Sequence, residues 1–247
     1  MPSIREIPQR LYLITDRKNS NKFYEYYSRF IPKKEEVPAL IEMVDSGHKL
    51  KFDGEVDDLD EYFITSQRIE LLKTLRNLNL ARSIYLEPEK DRNQIIIVTV
   101  SGAAINLSEA SSGLIQLLPI LLSTFFIAYD ENFPCIFIEQ PELHLHPKLQ
   151  AGIARIVSAE NDPYIIYPTF IIETHSEHLI RKLQVLIAKG EISKDEIGIF
   201  YFDNKKGLTS VKEMELENNG FFKEPWPDGF FDDSYNLARE LIYARKN

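Results

Sequence analysis

The 247-residue sequence has a single cysteine, Cys135, set inside an apolar run, so no disulfide framework can staple the fold. Basic residues are outnumbered: 29 Lys and Arg stand against 38 Asp and Glu, a formal charge of −9. Coating nucleic acid without sequence preference needs clustered Lys and Arg. The best basic pair, Lys33-Lys34, is cancelled at once by Glu35-Glu36. Long apolar runs are also missing. The longest, Leu114 to Tyr129, is short for a bilayer span and contains Gln116 and Pro119. The polar start, Met1 to Arg10, lacks the apolar core of a secretory signal, so a cytoplasmic location without membrane contact is expected. Internal repeats and low-complexity segments are absent as well. Finally, there is no phosphate-cradling loop. That motif, Gly-x-x-x-x-Gly-Lys-Ser/Thr, needs a Gly followed by Lys, and none of the ten glycines is.

What is present suits a packed domain: 44% hydrophobic and 11% aromatic residues. Residues 1–64 form a poorly defined segment. Arg10 to Ile14 reads as a strand and Phe23 to Phe30 as an aromatic-rich helix. Pro32, Pro38, Gly47 and Gly54 then break the pattern, and the acidic run Asp53 to Glu61 reads as a solvated loop. From Thr65 the pattern sharpens. Ile69, Leu72, Leu75 and Leu78 recur at helical spacing behind a Thr65 or Ser66 cap, and Gln94 to Val100 reads as a strand. Gly113 to Tyr129 is expected as a nearly all-apolar helix and Pro134 to Ile138 as a buried strand. Pro147 to Ala159 follows as an amphipathic helix, Thr169 to Ile172 as a strand, and Glu177 to Ala188 as a helix. Strands that are continuously apolar and separated by helices predict an α/β fold with a parallel sheet covered on both faces. Residues 65–189 make up this lobe. Residues 190–247 add a hairpin, Ile197 to Phe202 and Thr209 to Leu216, and a final helix, Asp233 to Arg245.

Ligands of open parallel sheets bind beyond the carboxyl ends of the strands. One strand there ends in Glu139-Gln140-Pro141-Glu142 and the next in Glu173-Thr174-His175-Ser176. A carboxylate so placed can hold Mg²⁺ directly or through water, and a nearby His can contact a phosphate or an attacking water. Polar residues also follow buried strands merely because the chain returns to solvent. Two adjacent ends with a histidine favour function over that reading. A third element, Asn106 to Gly113, places Ser111, Ser112 and Gly113 at the start of the apolar helix, where exposed amides and the helix dipole favour an anion. Capping accounts for one Ser there, hardly for two followed by Gly.

Glu139-Gln140-Pro141-Glu142-Leu143-His144-Leu145-His146-Pro147 resembles the Walker B and D-loop segment of ABC-type ATPases, in the SMC-related branch that holds OLD-like and related AAA proteins. Glu173-Thr174-His175-Ser176-Glu177-His178 is similar to that branch's switch-histidine motif, and Leu107 to Pro119 to its signature helix. Trp226 to Asp233 resembles the ending of the DUF3696 subfamily. The resemblance implies a P-loop NTPase sheet with flanking helices that lacks the Walker A strand, loop and helix. It implies ATP and Mg²⁺ as cofactors. Glu139 takes the Walker B position, binding Mg²⁺ through water. Gln140 and Glu142 fall at the catalytic positions with His175 as switch, while His144 and His146 lie in the D-loop. Ser111, Ser112 and Gly113 would serve nucleotide held by the opposite subunit, which implies a head-to-head dimer, with DNA or an effector reached through a partner.

Two departures qualify that picture. An amide at Gln140 cannot accept a proton, so either Glu142 substitutes or hydrolysis is slow and the domain is an ATP-gated clamp. The absent phosphate loop is expected N-terminal to Met1 or on a partner polypeptide, as in a split, truncated or stand-alone module. A competing reading takes His144, His146 and His175, flanked by Glu142, Glu173 and Glu177, as the metal site of a hydrolase. A third takes the chain as a non-enzymatic interaction module whose uncovered apolar surface demands a partner.

Overall fold

The computed structural model describes residues 30–47, 59–89, 92–126, 135–158, 168–205, 207–227 and 233–244. The strand expected at Arg10 to Ile14, and nearly all of the helix expected at Phe23 to Phe30, lie outside them. The chain divides into two compact units. One comprises Met1–Leu149 with Ala159–Thr174, the other Gln150–Ser158 with His175–Asn247.

The first unit begins with α1 (Val37–Asp45), where Pro38 acts as a helix starter, since its missing N–H is not needed in the first turn. The longer α2 (Leu59–Asn77) starts six residues before the expected cap, and two residues beyond its end Asn79, with a φ of 57°, turns the chain away. Leu71, Leu72 and Leu75 of α2 are fully buried. An antiparallel sheet follows: β1 (Ser83–Glu89), β2 (Arg92–Val98) and β3 (Ala104–Asn106) in that order. Tyr85 and Ile96, opposite each other in register, pack with Val37 of α1, and Ile84 and Ile97 pair on the other face. Both faces of the β1–β2 ribbon are therefore covered.

A short 3-10 turn, Leu107–Glu109, is closed by a capping box between Asn106 and Glu109. It leads to α3 (Ser112–Phe126), which buries Leu114, Leu117, Leu118, Leu121, Leu122, Phe125 and Phe126. At about 1.5–3 kcal/mol for each such side chain, this helix is the largest contributor to the unit's core. Its last residue, Phe126, stacks on Phe30 with centroids 4.7 Å apart and planes 16° from parallel. The unit closes with a parallel pair, β4 (Cys135–Glu139) and β5 (Thr169–Glu173). Between them in sequence, α4 (Pro147–Val157) gives its first three residues to this unit and the rest to the second.

One expectation fails here. Among the described residues, the parallel pair is not covered on both faces. Burial alternates along β4, with Ile136 and Ile138 buried. Phe137 and its register partner Ile171 are 40% and 50% exposed on the other face.

The second unit is built on α5 (Glu177–Ala188), which buries Leu179, Ile180, Leu183, Leu186 and Ile187. The hairpin follows as β6 (Phe200–Lys205) and β7 (Leu208–Glu213), turning through Gly207 at φ 79°. The chain then doubles back. Gly220 lies against α5, its carbonyl accepting a 2.7 Å hydrogen bond from the buried Gln184 Nε2. Trp226 packs edge-on against Tyr201 and Phe222. The Lys223 ammonium pairs with Glu215 and holds that carboxyl below the usual carboxylate range. The last helix is α6 (Asp233–Ala244). Among the described residues no helix is long and apolar enough to cross a membrane.

Candidate functional site

The parallel register brings the two strand ends level. Glu139 lies opposite Glu173, both exposed on the open face of the pair. The ladder runs one step further, the Gln140 amide donating to the Glu173 carbonyl at 2.8 Å. Gln140 itself has φ 46°, in the left-handed region that costs a non-glycine residue roughly 1–2 kcal/mol. That conformation turns the chain sharply out of the strand.

The turn that follows is tied at several points. The Leu143 amide donates to the Gln140 carbonyl, and the Leu145 amide to that of Glu142. Glu142, buried, accepts a 2.8 Å hydrogen bond from Thr174 Oγ1. Two bonds thus join the segment after β4 to the end of β5, one backbone and one side chain. His144 has φ 60° and is exposed. His146 is exposed at the threshold of α4. Its Nδ1 accepts from the Lys148 amide at 3.3 Å, so its ring caps the helix that Pro147 opens.

Ser111 and Ser112 are exposed at the start of α3. Ser111 caps the helix, its carbonyl accepting from the Ile115 amide and its Oγ from the Leu114 amide at 3.4 Å. Gly113 is buried. A Cβ there would stand 2.8 Å from a methyl of Leu149 and 3.7 Å from one of Leu145. The glycine lets the first turn of α3 approach the turn that leads into α4.

His175 is exposed and opens the second unit's main segment. Ser176 is the N-cap of α5: its Oγ accepts from the Leu179 amide at 3.1 Å and donates to Gln150 Oε1 at 2.7 Å. His178 faces solvent in the first turn of α5. The hydrolase reading of His144, His146 and His175 finds no assembled centre. Among the described residues, no group of three or more His, Cys, Asp or Glu side chains is placed to hold a metal ion.

The sequence gives no sign of Gln150 and no separate role to Thr174. Both lie beside residues that drew attention, and only the fold shows what they bond. Replacing Thr174 by Val should cost about 1.5 kcal/mol, because a buried carboxylate loses one donor. In a double-mutant cycle with Glu142→Ala, read by urea denaturation, most of that cost should vanish. Additive costs would mean that the two side chains act separately.

Two family descriptions match the sequence. The family described as "AAA domain, putative AbiEii toxin, Type IV TA system" matches residues 4–181, and "Protein of unknown function (DUF3696)" matches residues 192–241. No curated protein matches the chain. Similar solved structures include one described as "Structural biochemistry of ATP-driven dimerization and DNA stimulated activation of SMC ATPases". It is 12% identical, with a TM-score of 0.46, covering 76% of this chain and 98% of that one. Another is the "SmcHead bound to the C-winged helix domain of ScpA", at 13% identity, a TM-score of 0.45, and 76% and 56% coverage. A third is the Smc head domain with an extended coiled coil, bound to the C-terminal domain of ScpA derived from Pyrococcus furiosus. It has 12% identity, a TM-score of 0.41, and 96% and 52% coverage. This chain therefore spans about half the length of the last two.

Proposed function

Because the chain belongs to the AAA-domain family matched over residues 4–181, we propose that it supplies part of an ATP-gated head. In this reading it contributes the Walker B, D-loop, switch and signature elements and takes its phosphate loop from polypeptide outside these 247 residues. The observation that carries the reading is the pair of strand ends, with Glu139 level with Glu173 and the two chain segments tied by Gln140–Glu173 and Glu142–Thr174. A pair of carboxylates at the carboxyl edge of parallel strands offers only oxygen donors, the set that Mg²⁺ takes. Bound there, Mg²⁺ would neutralise charge on the terminal phosphates of ATP. Glu139 would hold the ion through water, and His175 would sense the terminal phosphate. Exposed Ser111 and Ser112 would meet nucleotide carried by the opposite subunit of a head dimer.

Hydrolysis is slow in this reading. Gln140 cannot take a proton from water. Glu142, the other acid in the turn, is buried and already accepts from Thr174. The protein then works as a clamp that closes on ATP and opens rarely. The uncovered Phe137 and Ile171 suit a domain completed by further polypeptide. The family's description names a toxin of a type IV toxin–antitoxin system, which suits a role in defence against phage or plasmids or in DNA maintenance.

The test is equilibrium dialysis with radiolabelled ATP and Mg²⁺. The chain alone should retain little nucleotide. Together with the polypeptide bearing the phosphate loop it should retain about one ATP per pair, and Glu139→Ala should weaken retention roughly tenfold or more. Tight one-to-one binding by the isolated chain would show that it holds a cradle of its own. No binding by the pair would end the ATPase reading.

A further inference from the structure

Among the described residues, the second unit carries two exposed apolar surfaces. The first is one face of the hairpin. Side chains alternate across a strand, so Phe200 and Phe202 share a face, where they are joined by Val211, the cross-strand partner of Phe202. All three are more than half exposed. The second is a stripe along α6. Leu237 and Leu241 stand one turn apart with Ile242 beside them, each again more than half exposed. Asn236, Arg239 and Tyr243 fall on the opposite side, with the Arg239 guanidinium over the Tyr243 ring at 5.9 Å, and Glu240, one turn from Leu237, lies at the stripe's edge. A helix with one apolar stripe and one polar side is built to lie on something.

The chain's own hairpin is a poor seat for its own α6. The face opposite Phe200 and Phe202 carries Tyr201 and its cross-strand partner Lys212. Trp226 packs on Tyr201 at 5.8 Å between centroids, and Glu224 bonds Lys212 Nζ at 2.5 Å. The chain as far as Pro227 therefore runs over the covered face. To seat its own helix on the open face, the chain would have to pass the hairpin edge between Pro227 and Asp233. A second copy has no such constraint.

We propose that the chain forms a two-fold dimer in which α6 of each copy lies on the Phe200–Phe202–Val211 face of the other. Such an exchange is self-complementary, so one contact is made twice and the assembly closes. Six side chains per copy, each more than half open, would be covered. With aromatic side chains burying about 150–250 Å² each and aliphatic ones less, the total is on the order of 1,000 Å², the scale at which specific interfaces begin. The contact is independent of nucleotide and of the head reading above, because none of its residues belongs to the strand ends, the α3 start or the turn.

Sedimentation equilibrium of the full chain in EDTA without nucleotide tests this. The mass should rise with concentration toward twice 28.7 kDa. Phe202→Glu and Leu241→Glu should each weaken the dimer roughly a hundredfold, the effect of losing a central apolar anchor. Both positions are exposed, so the melting temperature of the monomer should stay as it was. Mixing the two variants should restore a heterodimer of intermediate strength, since the helix of one and the hairpin of the other remain intact. A chain that stays monomeric at all concentrations would overturn the proposal. So would a dimer indifferent to both substitutions, or a monomer that either substitution destabilises, which would place α6 on its own hairpin.

Discussion

Gly220→Ala is expected to lower the stability of the second unit by about 3 kcal/mol or more. Two costs combine. Gly220 has φ 78°, a conformation that charges an L-residue roughly 1–2 kcal/mol. The new methyl would also stand 2.2 Å from the carbonyl oxygen of Gln184, a backbone atom in the middle of α5 that cannot rotate away. The turn must therefore lift off the helix. That breaks the hydrogen bond from Gln184 Nε2 to the Gly220 carbonyl and leaves a buried amide short of a partner, at about 1–3 kcal/mol. Gly207→Ala separates the two costs. Gly207 has φ 79°, but a methyl there meets nothing within 4 Å. It should lose only the conformational part, about 1 kcal/mol. Trp226, the sole tryptophan, reports on this unit, so urea denaturation followed by its fluorescence reads both variants. Equal losses at the two glycines would mean that the approach of Gly220 to α5 is looser than described.

Much of the fold could be read from residue patterns, and the exceptions have physical causes. The strands at 135–139 and 169–173 and the helices at 147–157 and 177–188 fall within about two residues of their sequence-based bounds. Short apolar runs flanked by strong capping residues leave little choice. The last helix starts at its expected Asp233, while the hairpin strands differ from their sequence-based bounds by up to three residues, at Phe200–Lys205 and Leu208–Glu213. By contrast, Pro38 reads in sequence as a break, because proline stops a helix nearly everywhere except its first turn, where it sits here. The strand at 83–89 is hard to read in sequence because Glu87, Pro88 and Glu89 hide three core residues, Ile84, Tyr85 and Leu86. Phe137 and Ile171 look as buried as Ile136 and Ile138 in sequence. Only the coordinates show that one face of the pair is open. In the site, residue types pointed to Glu139, Gln140, Glu142 and His175. They could not show that Gln140 lies at positive φ, or that Glu142 is joined to Thr174, because both depend on two strands 30 residues apart meeting in register.

Phe126→Ala should cost about 3–5 kcal/mol, the range for emptying a fully buried aromatic site. Phe126 has no exposed surface, and its ring lies flat on Phe30. α2 and the β1–β2 ribbon, through Leu71, Leu72, Leu75, Ile84 and Ile97, are also fully buried in this unit, so there is little freedom for the cavity to collapse. The position matters beyond stability because Phe126 anchors the far end of α3, the helix whose first turn presents Ser111 and Ser112. A helix held at one end only should shift its other end. The near end is set by the close approach of Gly113 to Leu149 and Leu145, a contact that tolerates little displacement. Phe126→Leu keeps most of the volume and should cost no more than about 1.5 kcal/mol. Circular dichroism during urea denaturation measures both losses, and hydrogen exchange at the α3 amides shows where they fall. If exchange rises along the whole helix in Phe126→Ala but near Phe126 alone in Phe126→Leu, α3 moves as one rigid piece and couples the Phe30 stack to the serines. If the Ala variant loosens only the last turn, the first turn is held by Gly113 and its leucine neighbours, and the two ends of the helix act independently.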